Sequence, residues 1–117
     1  MPSQSAELRE RTKQFAIRIV KLFHALPRAE EARVLGKQVL RSGTSVAANY
    51  RAVCRSRSRA DFISKIAVVT EEADETVCWL ELLVESGIVP KSPIGEAVDG
   101  SKRVNSNFWF LSSHGKI

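Results

Sequence analysis

The sequence is poor in the residues that build catalytic and metal centres. It has two histidines, His24 and His114, and two cysteines, Cys54 and Cys78, which form no Cys-x-x-Cys motif and no Cys/His cluster. No His-Glu-x-x-His, Gly-x-Ser-x-Gly or glycine-rich phosphate loop occurs either. We therefore expect a protein that is not an enzyme and binds no metal or cofactor, with ordinary surface histidines and reduced, partly buried thiols.

Long apolar stretches are also absent. No run approaches the roughly 18 consecutive apolar residues that span a bilayer, and the N-terminal MPSQSAELRERTK lacks the apolar core of a signal peptide. We therefore expect a cytoplasmic protein with no membrane partner. Hydrophobic residues make up 44% of the chain and charged residues 26%, a mixture typical of a globular protein. The length suits a single domain over residues 1–117.

Apolar residues recur at helical spacing, and no strand-like alternation competes with this pattern. Residues 5–26 place theirs on one narrow face, and Pro27 should end this helix. A second helix should start near Glu30, and the small residues around Gly43 would let a neighbouring helix approach closely. The Asn49 amide should bond a neighbouring helix, because an unpaired buried polar group costs about 1 to 3 kcal/mol. The apolar face of this helix consists of Leu35, Val39, Val46 and Val53, and the polar residues Ser42 and Asn49 lie on the same face.

The third helical segment has the clearest pattern. Ser58 is a suitable N-cap for it, and Gly87 is a suitable C-terminal stop. A fourth segment, from about Ile94 to Leu111, has a weaker pattern. Four helices with short connections predict an all-α protein with an antiparallel up-down-up-down four-helix bundle. The seam of the third segment consists of Phe62, Ile66, Val69, Ala73, Thr76, Leu80 and Leu83.

Positive charge is concentrated in the first half of the chain. Residues 1–59 contain 13 Lys and Arg against 4 Asp and Glu, whereas residues 60–117 contain 5 against 9. Such asymmetry indicates either a polyanion partner for the first half or charge pairing between helices or subunits.

The second helix would present a basic stripe on the side opposite its apolar residues. Five cations recur there within an arc of about 80° and over a length of about 33 Å. No acid interrupts the stripe, and Arg57 and Arg59 extend it. Its length and single sign predict binding of nucleic acid through the phosphates, and a solvated or ion-paired face is the alternative. The five cations are Arg33, Lys37, Arg41, Arg51 and Arg55.

Acidic residues cluster in the third segment, at Glu71, Glu72, Asp74 and Glu75. Helical bundles can hold metal ions between inward glutamates and Glu-x-x-His motifs, but this chain has no Glu-x-x-His. These acids also point mostly away from the apolar seam. We therefore interpret them as a solvated or ion-paired face and predict no metal site.

Apolar residues also lie outside the core faces of the first and third segments. Two apolar faces on one helix exceed what a single bundle can bury, which predicts a homo-oligomer. The alternative is that the fourth helix or the aromatic residues Phe108, Trp109 and Phe110 cover some of them. The predicted oligomer interface consists of Ile17, Val20, Val68, Trp79 and Leu82.

The segment Arg41–Gly87 resembles the bacterial four-helix-bundle family that includes proteins encoded by ribosomal RNA intervening sequences. The resemblance extends to FAIRIVKLFHALP in the first helix, so it covers most of the chain. Its most specific parts are SVAAN at residues 45–49 and EEADE at residues 71–75. Many family members continue after their Asn with Ile-Ala-Glu-Gly, where this chain has YRAV at residues 50–53.

The resemblance implies a partner as well as a fold. The family is similar to the accessory protein of diversity-generating retroelements, a homopentamer of four-helix bundles that binds nucleic acid and a reverse transcriptase. It therefore implies a homopentamer that binds RNA or DNA and, by analogy, a reverse transcriptase. The alternatives are a protein-interaction scaffold or accessory subunit without nucleic-acid binding, and a small enzyme.

Overall fold

The computed structural model describes residues 4–90, which form three α-helices and no strand. Helix α1 spans Gln4–Ala25, α2 spans Glu30–Val53 and α3 spans Arg59–Glu85. The predicted all-α class is confirmed for this part of the chain. The predicted fourth helix, from about Ile94 to Leu111, lies outside the described residues.

The ends of the helices follow the local signals in the sequence. Helix α1 ends two residues before Pro27, where the ring of proline would prevent its continuation. At the start of α3 the Ser58 hydroxyl accepts a hydrogen bond of 3.0 Å from the backbone N–H of Asp61. After α3, Gly87 adopts a φ of +79°, a left-handed conformation that favours glycine. The predicted N-cap and C-terminal stop are therefore confirmed.

Helix α2 lies between α1 and α3 and runs antiparallel to both. At one end of the molecule, Leu8 near the start of α1 belongs to the same buried cluster as Val53 at the end of α2 and Phe62 near the start of α3. At the other end, Ile19 and Leu83 share a second cluster with residues of the first half of α2. The short connections between the helices require this up-down-up order.

The predicted seam of α3 is confirmed, because all seven of its residues are buried. In α2 the predicted Val39, Val46 and Val53 are buried, and Leu35 is partly buried. Sequence reasoning missed Tyr50, which is 2% exposed and belongs to the same cluster as Val46. Its position four residues after Val46 is the signal that could have found it.

A layer of small polar residues separates the two apolar clusters. Each helix contributes one fully buried residue to it, namely Thr12, Ser42 and Thr76. The Thr76 hydroxyl donates to Ser42 Oγ at 2.8 Å and lies 2.7 Å from the carbonyl oxygen of Glu72. The predicted bond from Asn49 to another helix is not found within residues 4–90, where Asn49 is half-buried. The side-chain hydrogen bond that joins α2 to α3 in the core is the one between Ser42 and Thr76.

Removing both hydroxyls of this pair should cost less stability than the sum of removing each one alone. We expect Thr76→Val to lower the free energy of unfolding by about 1 kcal/mol or more, because the buried Ser42 hydroxyl is left with only a long hydrogen bond of 3.4 Å to the carbonyl oxygen of Val39. Combining Thr76→Val with Ser42→Ala should cost less than the sum of the single changes, since no buried hydroxyl is then left unpaired. Urea unfolding followed by circular dichroism at constant protein concentration measures these energies. Strictly additive costs would show that the two hydroxyls act independently.

The glycine in the middle of α2 permits close packing against α1. A Cβ atom on Gly43 would lie 2.8 Å from Cγ1 and 2.9 Å from Cγ2 of Ile19, closer than carbon atoms approach in proteins. Ile19 is itself fully buried, so it has little room to move away. The prediction that small residues allow a neighbouring helix to approach is therefore confirmed at this position.

Candidate functional site

The predicted basic stripe lies on the exposed side of α2, opposite the buried residues Val39 and Val46. Helix α2 runs without a break past Gly43, so its cations on both sides of Gly43 share one continuous face. The prediction that Arg55 belongs to the same helix is wrong, because α2 ends at Val53 and Arg55 lies in the turn that follows. The residues predicted to bind nucleic acid are all exposed: Arg33, Lys37, Arg41, Arg51, Arg55, Arg57 and Arg59.

Arg41 differs from the other cations of the stripe because it pairs with acids of α3. Its Nη2 donates to Glu75 Oε1 at 2.7 Å, and its Nη1 lies 3.9 Å from Glu72 Oε2. Trp79 Nε1 donates to the same Glu75 oxygen at 3.3 Å. The Arg41 side chain is 53% exposed, so this pair contributes at most about 1 kcal/mol to stability. The ion-paired alternative for the stripe therefore holds at Arg41.

The remaining cations of the stripe stay unpaired within residues 4–90. Arg33, Lys37, Arg51 and Arg55 form no ion pair with any described residue. The rest of the stripe consequently presents uncompensated positive charge to solvent.

The turn between α2 and α3 adds two cations to this surface. Asp61 accepts hydrogen bonds from Lys65 Nζ at 2.9 Å and from the backbone N–H of Arg57 at 3.1 Å. The bond from Lys65 and then the bond from Arg57 lower the pKa of Asp61 below its ordinary value. Asp61 therefore binds the backbone of Arg57 and not its side chain, and neither Arg57 nor Arg59, the first residue of α3, forms an ion pair in the described part of the chain.

An apolar groove of about 540 Å³ lies between α1 and α2, beside the stripe. Lys13, Lys21 and Arg51 stand around it, and no acidic residue lines it. Sequence reasoning missed this groove, although the alternation of Lys13, Ile17 and Lys21 at intervals of four residues was a signal for it. The small and apolar residues of the groove are Ala16, Ile17, Val20, Ala47 and Ala48.

The residues predicted to form the oligomer interface lie on two helices, α1 and α3. Ile17 and Val20, on α1, are 37% and 48% exposed and belong to the groove. Val68 and Leu82, on α3, are 45% and 43% exposed. Trp79 is half-buried and packs against the apolar cluster at its end of the molecule. The aromatic residues considered as a cover for these apolar residues, residues 108–110, lie outside the described part of the chain.

The two cysteines differ from the prediction in one respect. Both are reduced, as predicted, but the expectation of partial burial is wrong, because Cys54 and Cys78 are exposed. Cys54 follows the last turn of α2 and neighbours Tyr50. Burial raises the pKa of Tyr50 strongly, and the nearby Cys54 raises it further.

Within residues 4–90, no three His, Cys, Asp or Glu side chains are grouped so as to hold a metal ion. Of the four clustered acids, Glu72 and Glu75 contact Arg41, whereas Glu71 and Asp74 are exposed and unpaired in that range. His24 is an exposed residue of α1, and His114 lies outside the described residues. No described helix has a stretch long and apolar enough to cross a membrane.

Comparison with other proteins identifies a family and a similar solved structure. The sequence profile of the family described as 23S rRNA-intervening sequence protein matches residues 4–106. A crystal structure with the same fold is that of a protein with unknown function from the S23 ribosomal protein family of Bacteroides thetaiotaomicron. The two chains are 35% identical with a TM-score of 0.84, over 90% of this chain and 97% of that one. No curated protein matches the chain.

Proposed function

Since this chain belongs to the family of 23S rRNA-intervening sequence proteins, we propose that it is a cytoplasmic, non-enzymatic protein that binds nucleic acid as a closed homo-oligomer. A pentamer is the favoured state. Each subunit of the proposed oligomer is an up-down-up-down four-helix bundle. The ligand is RNA or DNA.

The observation that supports nucleic-acid binding most is the unpaired charge of the basic stripe. Arg33, Lys37 and Arg51 share one exposed face of α2, and Arg55 follows just after the helix ends; none of the four has an ion-pair partner within residues 4–90. At a rise of 1.5 Å per residue, the helical part of the stripe from Arg33 to Arg51 extends over about 27 Å and can follow several phosphates. A surface of this kind releases counterions when it binds a polyanion, which is the main source of sequence-independent affinity.

Binding is directed to the phosphate backbone and not to the bases. No aromatic side chain is exposed on the described part of the stripe, and Tyr50 of the same helix is buried. In the described part of the stripe, bases therefore have no aromatic side chain on which to stack. Because several copies of the stripe are present in an oligomer, a long nucleic acid engages them together and gains affinity by avidity.

The exposed apolar residues support self-association. Four residues of the predicted interface, Ile17, Val20, Val68 and Leu82, are each at least 37% exposed. Several exposed apolar residues on the outer sides of two helices are typical of a protein whose surface is covered by a partner.

A titration with salt tests the proposal. Labelled single-stranded RNA and duplex DNA of several unrelated sequences are titrated with protein at increasing salt, with fluorescence anisotropy as the signal, and sedimentation gives the mass of the protein. We expect similar affinities for the unrelated sequences and a linear loss of log affinity with log salt. Absence of binding at low salt would overturn the proposal.

A protein-interaction scaffold without nucleic-acid binding is the second candidate. The apolar groove between α1 and α2 favours it, because ligand sites in proteins are concave and largely apolar. The same titration separates the candidates, since a scaffold would remain oligomeric and fail to bind either nucleic acid.

A further inference from the structure

The outer side of α3 combines exposed apolar residues with negative charge. Val68 and Leu82 are 45% and 43% exposed, and each is followed three residues later by a glutamate, Glu71 and Glu85, on the same side of the helix. Both glutamates are exposed and form no ion pair within residues 4–90. From residue 66 to residue 85, α3 contains six acidic residues and no basic one. We refer to Val68, Glu71, Leu82 and Glu85 as the acidic face.

The groove between α1 and α2 has the complementary character. Ile17 and Val20 supply its largest apolar side chains, and they are 37% and 48% exposed. The charged residues that line it are Lys13, Lys21 and Arg51. Lys13 and Lys21 lie one turn before and one turn after Ile17, so cations flank its apolar surface.

We propose that the acidic face of α3 docks into the groove between α1 and α2 of a second copy of this chain. The inference rests on the self-association in the proposed function and assigns its two contact surfaces. Charge complementarity identifies the occupant, because each surface combines exposed apolar residues with charges of one sign, and the two signs are opposite.

Pairing of either surface with itself is unfavourable. In a two-fold symmetric contact the groove would place Lys13, Lys21 and Arg51 next to the same residues of the partner, and like charges brought together cost several kcal/mol. The acidic face has the same difficulty with Glu71 and Glu85. The contact is therefore head-to-tail: the acidic face of each subunit contacts the groove of the next subunit. Contacts of this kind close into rings when the rotation between subunits allows it.

Two variants that each block one surface provide the test. Val20→Glu places a negative charge in the groove, and Leu82→Lys places a positive charge on the acidic face. Both positions are over two-fifths exposed, so the core of the subunit is not disturbed. Each variant alone should lose self-association by roughly 30-fold or more, the effect of removing one central contact residue.

Mixing the two variants gives the decisive result. The Val20→Glu subunit keeps an intact acidic face, and the Leu82→Lys subunit keeps an intact groove. In an equimolar mixture the intact acidic face of one variant can therefore contact the intact groove of the other, so the mixture should associate where neither variant does alone, as measured by native mass spectrometry and sedimentation. Ile63→Glu is the control, because Ile63 is 38% exposed on α3 but lies about 100° or more around the helix from Val68 and Leu82.

The possible outcomes separate this inference from the proposed function. A mixture that stays monomeric, while the wild-type protein is oligomeric, would overturn the pairing of these surfaces alone. A wild-type protein that is monomeric at tens of micromolar would overturn self-association as well. If circular dichroism shows that either variant is unfolded, Ile17→Glu and Val68→Lys are mixed in the same way with the same expected result.

Discussion

Reversing the charge of Lys37 and Arg55 together should lower the affinity for both RNA and duplex DNA by at least about tenfold near physiological salt. These two residues are exposed and form no ion pair within residues 4–90. Neither lines the groove. Arg41 is less suitable because it pairs with Glu75, and Arg51 because it lines the groove. Loss of affinity in the Lys37→Glu, Arg55→Glu variant would therefore report on nucleic-acid contacts and not on assembly.

The salt dependence of this variant gives a second measure of the same contacts. Each phosphate contact contributes about 0.9 to the slope of log affinity against log salt in duplex DNA and about 0.7 in single strands. Loss of two contacts should therefore flatten the slope by about 1.8 for duplex DNA. The loss should be the same for unrelated sequences, since phosphate contacts carry no sequence information.

A control with the same change in net charge shows whether position matters. Arg11 and Arg18 are exposed on the side of α1 that faces away from the groove, so Arg11→Glu with Arg18→Glu alters net charge equally without touching the stripe. We expect this control to lose much less affinity. Equal losses in the two double variants would mean that overall charge, and not the basic stripe, determines binding.

Placing a side chain at Gly43 should destabilise the subunit. We expect Gly43→Val to lower the free energy of unfolding by about 1 to 3 kcal/mol, because the added carbons overlap with the buried Ile19. The sign of this change distinguishes packing from helix propensity, because valine is a better helix former than glycine and would stabilise an exposed helix. Urea unfolding at constant protein concentration measures the change.

A double-mutant cycle locates the cause of this loss. Ile19→Ala alone should cost about 2 to 5 kcal/mol through the cavity that it creates. In combination with Gly43→Ala, the new Cβ occupies part of that cavity, so the two changes together should cost less than their sum by about 1 kcal/mol. If the two changes lower the free energy of unfolding additively, or if Gly43→Ala stabilises the protein, then α1 and α2 can move apart at this point without loss of stability.

Features governed by local chemistry could be predicted from the sequence. The seam of α3 follows from the spacing of its apolar residues, and its ends follow from the capping chemistry of Ser58 and Gly87. The exposed position of the stripe follows in the same way, because the helical repeat places cations opposite the valines of α2. These inferences need only the geometry of one helix.

Features that depend on a second helix could not be predicted in this way. The pairing of Arg41 with Glu75 requires the relative position of α2 and α3, which the periodicity of either helix does not contain. The groove depends in the same way on the distance between α1 and α2. Asn49 was expected to bond another helix, but the core hydrogen bond between α2 and α3 involves Ser42, one heptad earlier on the same apolar face. The sequence alone does not distinguish Ser42 from Asn49 as the partner of α3, because the position of α3 decides which of them can form the hydrogen bond.

The central position of α2 also determines how the subunit folds. Within residues 4–90 each helix packs its backbone only against the helix next to it in the chain, so α2 contacts both of the others. Contacts between neighbours in the chain give a low contact order, and helical proteins of this kind fold within microseconds to milliseconds. The core amides of α2 should exchange with solvent only on global unfolding, whereas those at the start of α1 exchange by fraying. Folding is then fast compared with the encounter of subunits, so the rate of assembly in the proposed oligomer depends on protein concentration.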